Sequence, residues 1–203
     1  MDISQLLMLD KEQLAQASKN LNADNISILV DMLNEKDDKL RYQAFLMLQS
    51  RSQNFDDVYA YWNIFCDKLK SSNSYQRSIG LMMIAENVKW DNKNQIDNII
   101  DDYLLLLNDQ KPITVRQCIQ SLAKIIPYKN HLNEKIANSL IDINLDNIKQ
   151  TMRKLVLIDI LNVLILIRKN QKIEIIDAYI VRALSEDIID KKAKKQIEEL
   201  IKD

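Results

Sequence analysis

The sequence predicts an all-α chain of helix pairs stacked in tandem. Three observations predict it. Glycine occurs once and proline twice in 203 residues, whereas sheets and hairpins need glycine at their turns. Hydrophobic residues make up 47% of the chain, enough for a sizeable core and against general disorder. The third is a register. Arg41, Arg77, Arg116 and Arg153 each stand early in a helix-like apolar pattern, in steps of 36, 39 and 37 residues, and a further 39 lands on Lys192.

Other columns keep that register. Twelve residues before each anchor stand Leu29, Phe65, Leu104, Ile141 and Ile180. Eight before stand Leu33, Leu69, Asn108, Leu145 and Leu184, with Leu107 beside the one polar member. Residues four apart share a helix face, so these two columns form the stripe of a first helix. Three and seven after the anchors come Ala44, Gly80, Ile119 and Val156, then Leu48, Ile84, Ala123 and Ile160, the buried stripe of a second helix.

Between the two helices of each unit run polar breaks. Asp37 or Asp38, Ser72 or Asn73, and Asp146 are expected to accept backbone N–H bonds at the start of the second helix. Pro112 suits a helix's first turn, where its missing donor matters least. The stretches 87–94, 127–131 and 168–172 read as helix stops, with asparagine as a left-handed cap in place of glycine. Within residues 1–20, Asp2 and Asp10 are expected N-caps, and Asp10 with Gln13 makes a box-like pair. Leu6, Leu7, Leu9 and Leu14 are expected to cover the first unit. The last helix is polar apart from Ala193, Ile197, Leu200 and Ile201, as an end-capping helix must be.

The pattern L…(D/N)…VR…A…L resembles that of HEAT repeats, of the armadillo-type α-solenoid group. It is clearest at Leu107-Asn108-Asp109…Val115-Arg116…Leu122-Ala123 and at Leu33…Asp38-Lys39-Leu40-Arg41…Ala44…Leu48. The resemblance implies a right-handed α-solenoid of about five helical-hairpin repeats in one domain, 1–203. Residues 1–21 would form an N-terminal cap, 22–184 the stacked helix pairs and 185–203 a C-terminal capping helix. It also implies a structural inter-repeat role for Arg41, Arg77, Arg116 and Arg153, bonding across repeat junctions with Asp37, Asp38, Asp109 and Asp146 as candidate partners. A half-buried guanidinium needs such acceptors. The competing role for these arginines is a ladder that grips phosphates.

Composition narrows the function classes. With 28 basic and 29 acidic residues the net charge is −1, which gives no bulk attraction to nucleic acid or anionic membrane. Cys66 and Cys118 have no pairing motif and fit a reducing, cytoplasmic setting. Residues 1–20 lack the apolar core of a signal peptide. The apolar run 155–167 is too short to span a bilayer and is broken by Asp159 and Asn162. His131 is the only histidine, no metal-ligand spacing occurs, and Gly80 lies in a core column. No catalytic, cofactor-binding or metal residue is therefore assigned, and no cofactor is expected.

The candidate partner-binding residues lie on the second-helix face away from the core stripe: Gln43, Leu46, Ile79, Met82, Ser121, Asp159 and Asn162. Leu155 and Ile158 belong to the same face. It is apolar and methionine-bearing, so it is either a groove that receives a helix or a surface buried by curvature. Tyr59 and Trp62, from the aromatic run 58–65, are either partner anchors or inter-repeat packing. Asp159 and Asn162 require hydrogen-bond partners, supplied by a neighbouring arginine or by a ligand. These features point to a non-enzymatic protein- or peptide-binding scaffold. The alternative is a nucleic-acid-binding protein related to HEAT-like alkyl-base DNA glycosylases, for which Trp62, Trp90 and several acids are present and a basic excess is lacking. For a third group, the HEAT-like bilin lyases, no residue set carries over.

Overall fold

The computed structural model describes residue 5 and residues 8–202. The expected cap Asp2 and the apolar Leu6 and Leu7 lie outside these residues. Among the described residues every regular element is an α-helix or a 3₁₀ turn. The chain divides into two compact units, which meet in sequence at Ile99 and Ile100.

In the first unit, α1 spans Lys11–Ser18, α2 Ala23–Met32, α3 Asp38–Ser52, α4 Trp62–Lys68 and α5 Ser74–Asn87. Local chemistry sets their starts. The Asp10 carboxylate accepts from Gln13 N at 2.9 Å, and the Gln13 side chain returns a bond to Asp10 N. Asn22 and Asn25 repeat the device at α2. Asp37 caps α3 through Lys39 N and Leu40 N, and Asn73 caps α5 through Tyr75 N. The apolar columns then close the core: α1 and α2 pack on α3, α3 on α5, and α4 on α5. Leu29, Leu33, Leu48, Phe65 and Ile84 have no exposed surface. Gly80 sits where α5 crosses α4. A Cβ there would stand 2.8 Å from the Phe65 carbonyl oxygen, so only glycine permits that approach.

In the second unit, α6 spans Ile100–Leu105, α7 Pro112–Ile125, α8 Asn133–Ile141, α9 Gln150–Asn170, α10 Glu174–Ser185 and α11 Lys191–Lys202. Pro112 occupies the first position of α7. Asp190 accepts from Ala193 N at 2.8 Å and so caps α11, whose Ala193 and Ile197 are buried. The 21-residue α9 is the central helix, against which α7, α8, α10 and α11 all pack. Its apolar run is interior: Val156, Leu157, Ile160, Leu161, Val163 and Leu164 are at most 1% exposed. Among the described residues no helix is long and apolar enough to cross a membrane.

Two local expectations are corrected. Asp146 does not cap α9. It lies in the 3₁₀ turn Leu145–Asn147, and α9 begins after Lys149 with no side-chain cap. Asparagines do not end these helices in the left-handed conformation either. Among the described residues only Asn94 has positive φ, at 52°, and it precedes a 3₁₀ turn. Helices here close through right-handed or extended caps, which require no left-handed residue.

Candidate binding surface

A polar group on a second-helix surface joins α7 to α9. Arg116 stands in the second turn of α7, one turn before Gln120. Asp159 stands midway along α9. Arg116 Nε donates to Asp159 Oδ2 at 2.6 Å, its Nη2 to Oδ1 at 3.2 Å, and Gln120 Nε2 to Oδ1 at 3.0 Å. The Asp159 side chain is 8% exposed and that of Arg116 is 23%. The hydrogen bond to Asp159 raises the Arg116 pKa, against the opposing effect of burial, so the guanidinium keeps its charge. The charge that interrupts the apolar run of α9 is thus held by an arginine on the neighbouring helix.

Around this fixed pair the surface is apolar and open. Ile113, one turn before Arg116, is 53% exposed, and Leu155, one turn before Asp159, is 39% exposed. Asn162 is exposed, and Ile158 is half-buried. Ile113 and Gln120 escaped the sequence reading. Their signal was available: both lie within one turn of Arg116 on the same side of α7.

The other anchor arginines behave differently. Arg41 donates to the Glu35 carbonyl at 2.8 Å and pairs with Asp38. Arg77 donates to the Ser71 and Ser72 carbonyls at 2.8 and 3.0 Å. Arg153 donates to the Ile148 and Asp146 carbonyls at 3.0 Å each and pairs with the Asp146 carboxylate at 2.9 Å. All three hold the loop before their own helix. A guanidinium in the first turn reaches its own preceding loop more readily than a neighbour, because that loop presents carbonyls left unpaired by the turn. Of the expected Asp partners, Asp38 and Asp146 pair in this local way, and Asp37 serves as a cap.

The remaining candidates are placed as follows. Gln43 donates to the Leu9 carbonyl at 2.6 Å, so the segment leading into α1 lies over it. Ser50 on the same face bonds Ser18 at 2.9 Å. Leu46 and Met82 are half-buried. Ile79 and Ser121 are each 6% exposed. Trp62, at 3%, is packed in the core beside Tyr59, with ring centroids 5.4 Å apart, and offers no ring to a partner. Tyr59 is half-buried and donates to Asp91 at 2.7 Å. Burial first, and then Asp91, push its phenol up to about 12.

Chemistry elsewhere is muted. Burial holds the Cys118 thiol well above its ordinary range, and no thiolate nucleophile is formed there. Cys66 and Cys118 are both unbridged. Among the described residues no three His, Cys, Asp or Glu side chains are grouped to hold a metal.

No protein-family model matches the chain, and no curated protein matches it. Solved structures do. An engineered protein, target OR329, superposes with a TM-score of 0.52 at 14% identity over 100% of this chain and 96% of that one. A second engineered protein, target OR366, gives 0.51 at 16% identity over 98% and 96%. The smu.31 protein of Streptococcus mutans UA159 gives 0.50 at 14% identity over 98% of both chains. At these identities the likeness shows the all-helical fold alone.

Proposed function

We propose that this chain is a non-enzymatic binding module, a scaffold or adaptor that receives a protein or peptide on the α7–α9 face. The observation that carries the reading is the pairing of an immobilised Arg116–Asp159–Gln120 group with the exposed apolar side chains of Ile113 and Leu155. A rigid polar centre flanked by apolar contacts suits recognition of an amphipathic helix, whose anchors fall one turn apart. The two unbridged cysteines fit a cytoplasmic setting.

The nucleic-acid alternative finds less support. The anchor arginines already donate to protein oxygens, and the balanced charge leaves little for phosphate contacts.

Photo-crosslinkers at positions 113 and 155, used in the source cell with mass spectrometry, test the reading. The expected result is enrichment of one protein at both positions, with Leu155→Glu weakening its binding about tenfold. Crosslinks no richer than those from position 202 would defeat it, as would retardation of DNA or RNA at low salt without a protein partner.

A further inference from the structure

The α7–α9 face has a direction. Short connections on either side of α8 reverse the chain twice, so α7 and α9 run the same way. Each presents an outward stripe at helical spacing. On α7 it runs Ile113, Gln120, Lys124, and on α9 it runs Leu155, Asn162, Lys169. All six residues are exposed, and the half-buried Leu166 lies between the last two on α9. Both stripes pass from an apolar side chain through a carboxamide to an ammonium group, over about 16 Å on α7 and about 21 Å on α9. The Arg116–Asp159 pair ties the two helices together midway.

Charge on these helices is one-sided. α7 and α9 carry six cationic residues and one acidic residue, Asp159. Asp159 pairs with Arg116. Asp146, Asp190 and Asp177, all from outside the two helices, pair with Arg153, Lys154 and Arg168. Lys169 has no acidic partner among the described residues. A lysine in a last turn also offsets the helix dipole, which accounts for Lys124 and Lys169 one at a time. It does not account for the exposed apolar and amide positions that precede both of them in the same order.

We infer that the occupant of this face is an amphipathic helix with an acidic first turn, lying antiparallel to α7 and α9. Its carboxylates meet Lys169, with Lys124 alongside. Its apolar anchors, about 11 to 14 residues further on, meet Ile113 and Leu155. The direction follows from the partner's own dipole, since carboxylates stabilise a helix at its N-terminal end. Two ammonium groups in line with apolar side chains suit such a helix better than a phosphate backbone, whose binding needs many cations. The inference rests on the protein-binding reading and adds the partner's charge and direction.

Three helical peptides of about 16 residues, built on alanine and glutamine, test it by amide NMR on the full-length chain. The first has two glutamates in its first turn and two leucines one turn apart near its C-terminal end. The second has lysines in place of the glutamates, and the third is the first with its sequence reversed. The glutamate peptide is expected to bind saturably and to shift the Leu155, Asn162 and Lys169 signals. The lysine and reversed peptides should each bind about three- to tenfold more weakly at low salt, and the glutamate–lysine gap should narrow toward physiological ionic strength. Lys169→Glu should cut the glutamate peptide's affinity about fivefold and raise that of the lysine peptide. Because that change also opposes the dipole of α9, Lys169→Gln supplies the second variant; it should keep the helical spectrum and remove most of the difference between the two peptides. Absence of saturable shifts, equal affinity for the glutamate and lysine peptides, equal affinity for the reversed peptide, or an unchanged preference in Lys169→Gln would overturn the inference. So would tighter binding of a single-stranded DNA of about 16 nucleotides. Each of these outcomes leaves a protein crosslinked at positions 113 and 155 in place, so the partner's charge and direction can fail while the α7–α9 face stands.

Discussion

The two units use the same helix-pair plan, yet they treat the outer face of their second helices in opposite ways. In the first unit α1 and the residue before its cap cover α3. Gln43 bonds Leu9, Ser50 bonds Ser18, and Arg51 donates to the Ser18 and Lys19 carbonyls at 3.1 and 2.7 Å while pairing with Asp57. In the second unit, part of the corresponding surface of α9 is open at Leu155 and Asn162. The same positions in the repeat register are therefore joinery in one unit and accessible surface in the other. The register of a repeat does not by itself assign a side chain to function; what lies on top of it does.

The polar links between neighbouring helix pairs differ as well. The second unit uses an ion pair, Arg116–Asp159. The first uses Lys68, 7% exposed, whose ammonium donates to Asn34 at 2.7 Å and Gln76 at 2.5 Å. Gln76 in turn donates to the Leu33 carbonyl at 2.7 Å. One link balances charge and the other buries a cation against neutral amides.

That contrast is tested most sharply by Asp159→Ala. It strands the Arg116 guanidinium, and a loss of about 3 kcal/mol in urea denaturation is expected. The double variant Arg116→Met with Asp159→Leu should restore most of it, because two apolar groups replace two charges. If the double variant is as unstable as the single, the pair is not the link described.

The Lys68 link predicts a pH dependence. Burial first, and then the Arg41 charge, lower the lysine from 10.5 to about 8. The folded state therefore releases this proton before the unfolded state does. The destabilisation is fully present below about pH 8 and fades as pH rises toward 10.5. Denaturation midpoints of the parent and Lys68→Met should converge or diverge across that window, with the parent alone gaining from this source. Parallel profiles from pH 7 to 10.5 would rule it out.

Smaller effects separate clasp from core. Gln43→Ala removes one hydrogen bond to the chain entering α1, with an expected loss of about 1 kcal/mol. Hydrogen exchange should quicken in α1 and stay unchanged in α9; a uniform change would contradict a local clasp. The smallest effect is expected at Arg153→Ala, below about 1 kcal/mol. Its carboxylate partner, Asp146, is 84% exposed.

Much of the fold was legible because helical periodicity is a local property. Leu29, Phe65, Leu48, Ile84, Ile119 and Ile160 of the columns are all fully buried, and the caps at Asp10, Asp37 and Asn73 follow from side chains that accept from backbone N–H groups two or three residues on. Ala123 is an exception in its column. It is half-buried while Leu122 beside it is fully buried, since one position around a helix turns a side chain by about 100°. The candidate surface was only half legible. Asp159 could be flagged as a charge in an apolar run, but Arg116 is 43 residues away, and no local pattern pairs them. Trp62 illustrates the converse. Its chemistry suits an anchor, and its burial depends on which helices close over it.

By itself the sequence determined that this chain would be helical, where most helices would start, and which stripe of each would be buried. Those outcomes depend on residues within a few positions of each other, linked by capping bonds and the 3.6-residue turn. Tertiary structure alone decided that α1 covers α3, that Arg116 holds Asp159 while three sister arginines hold their own loops, and that Trp62 is closed into the core. These depend on contacts between segments far apart in the chain, where distance and solvent exclusion set the strength of each interaction.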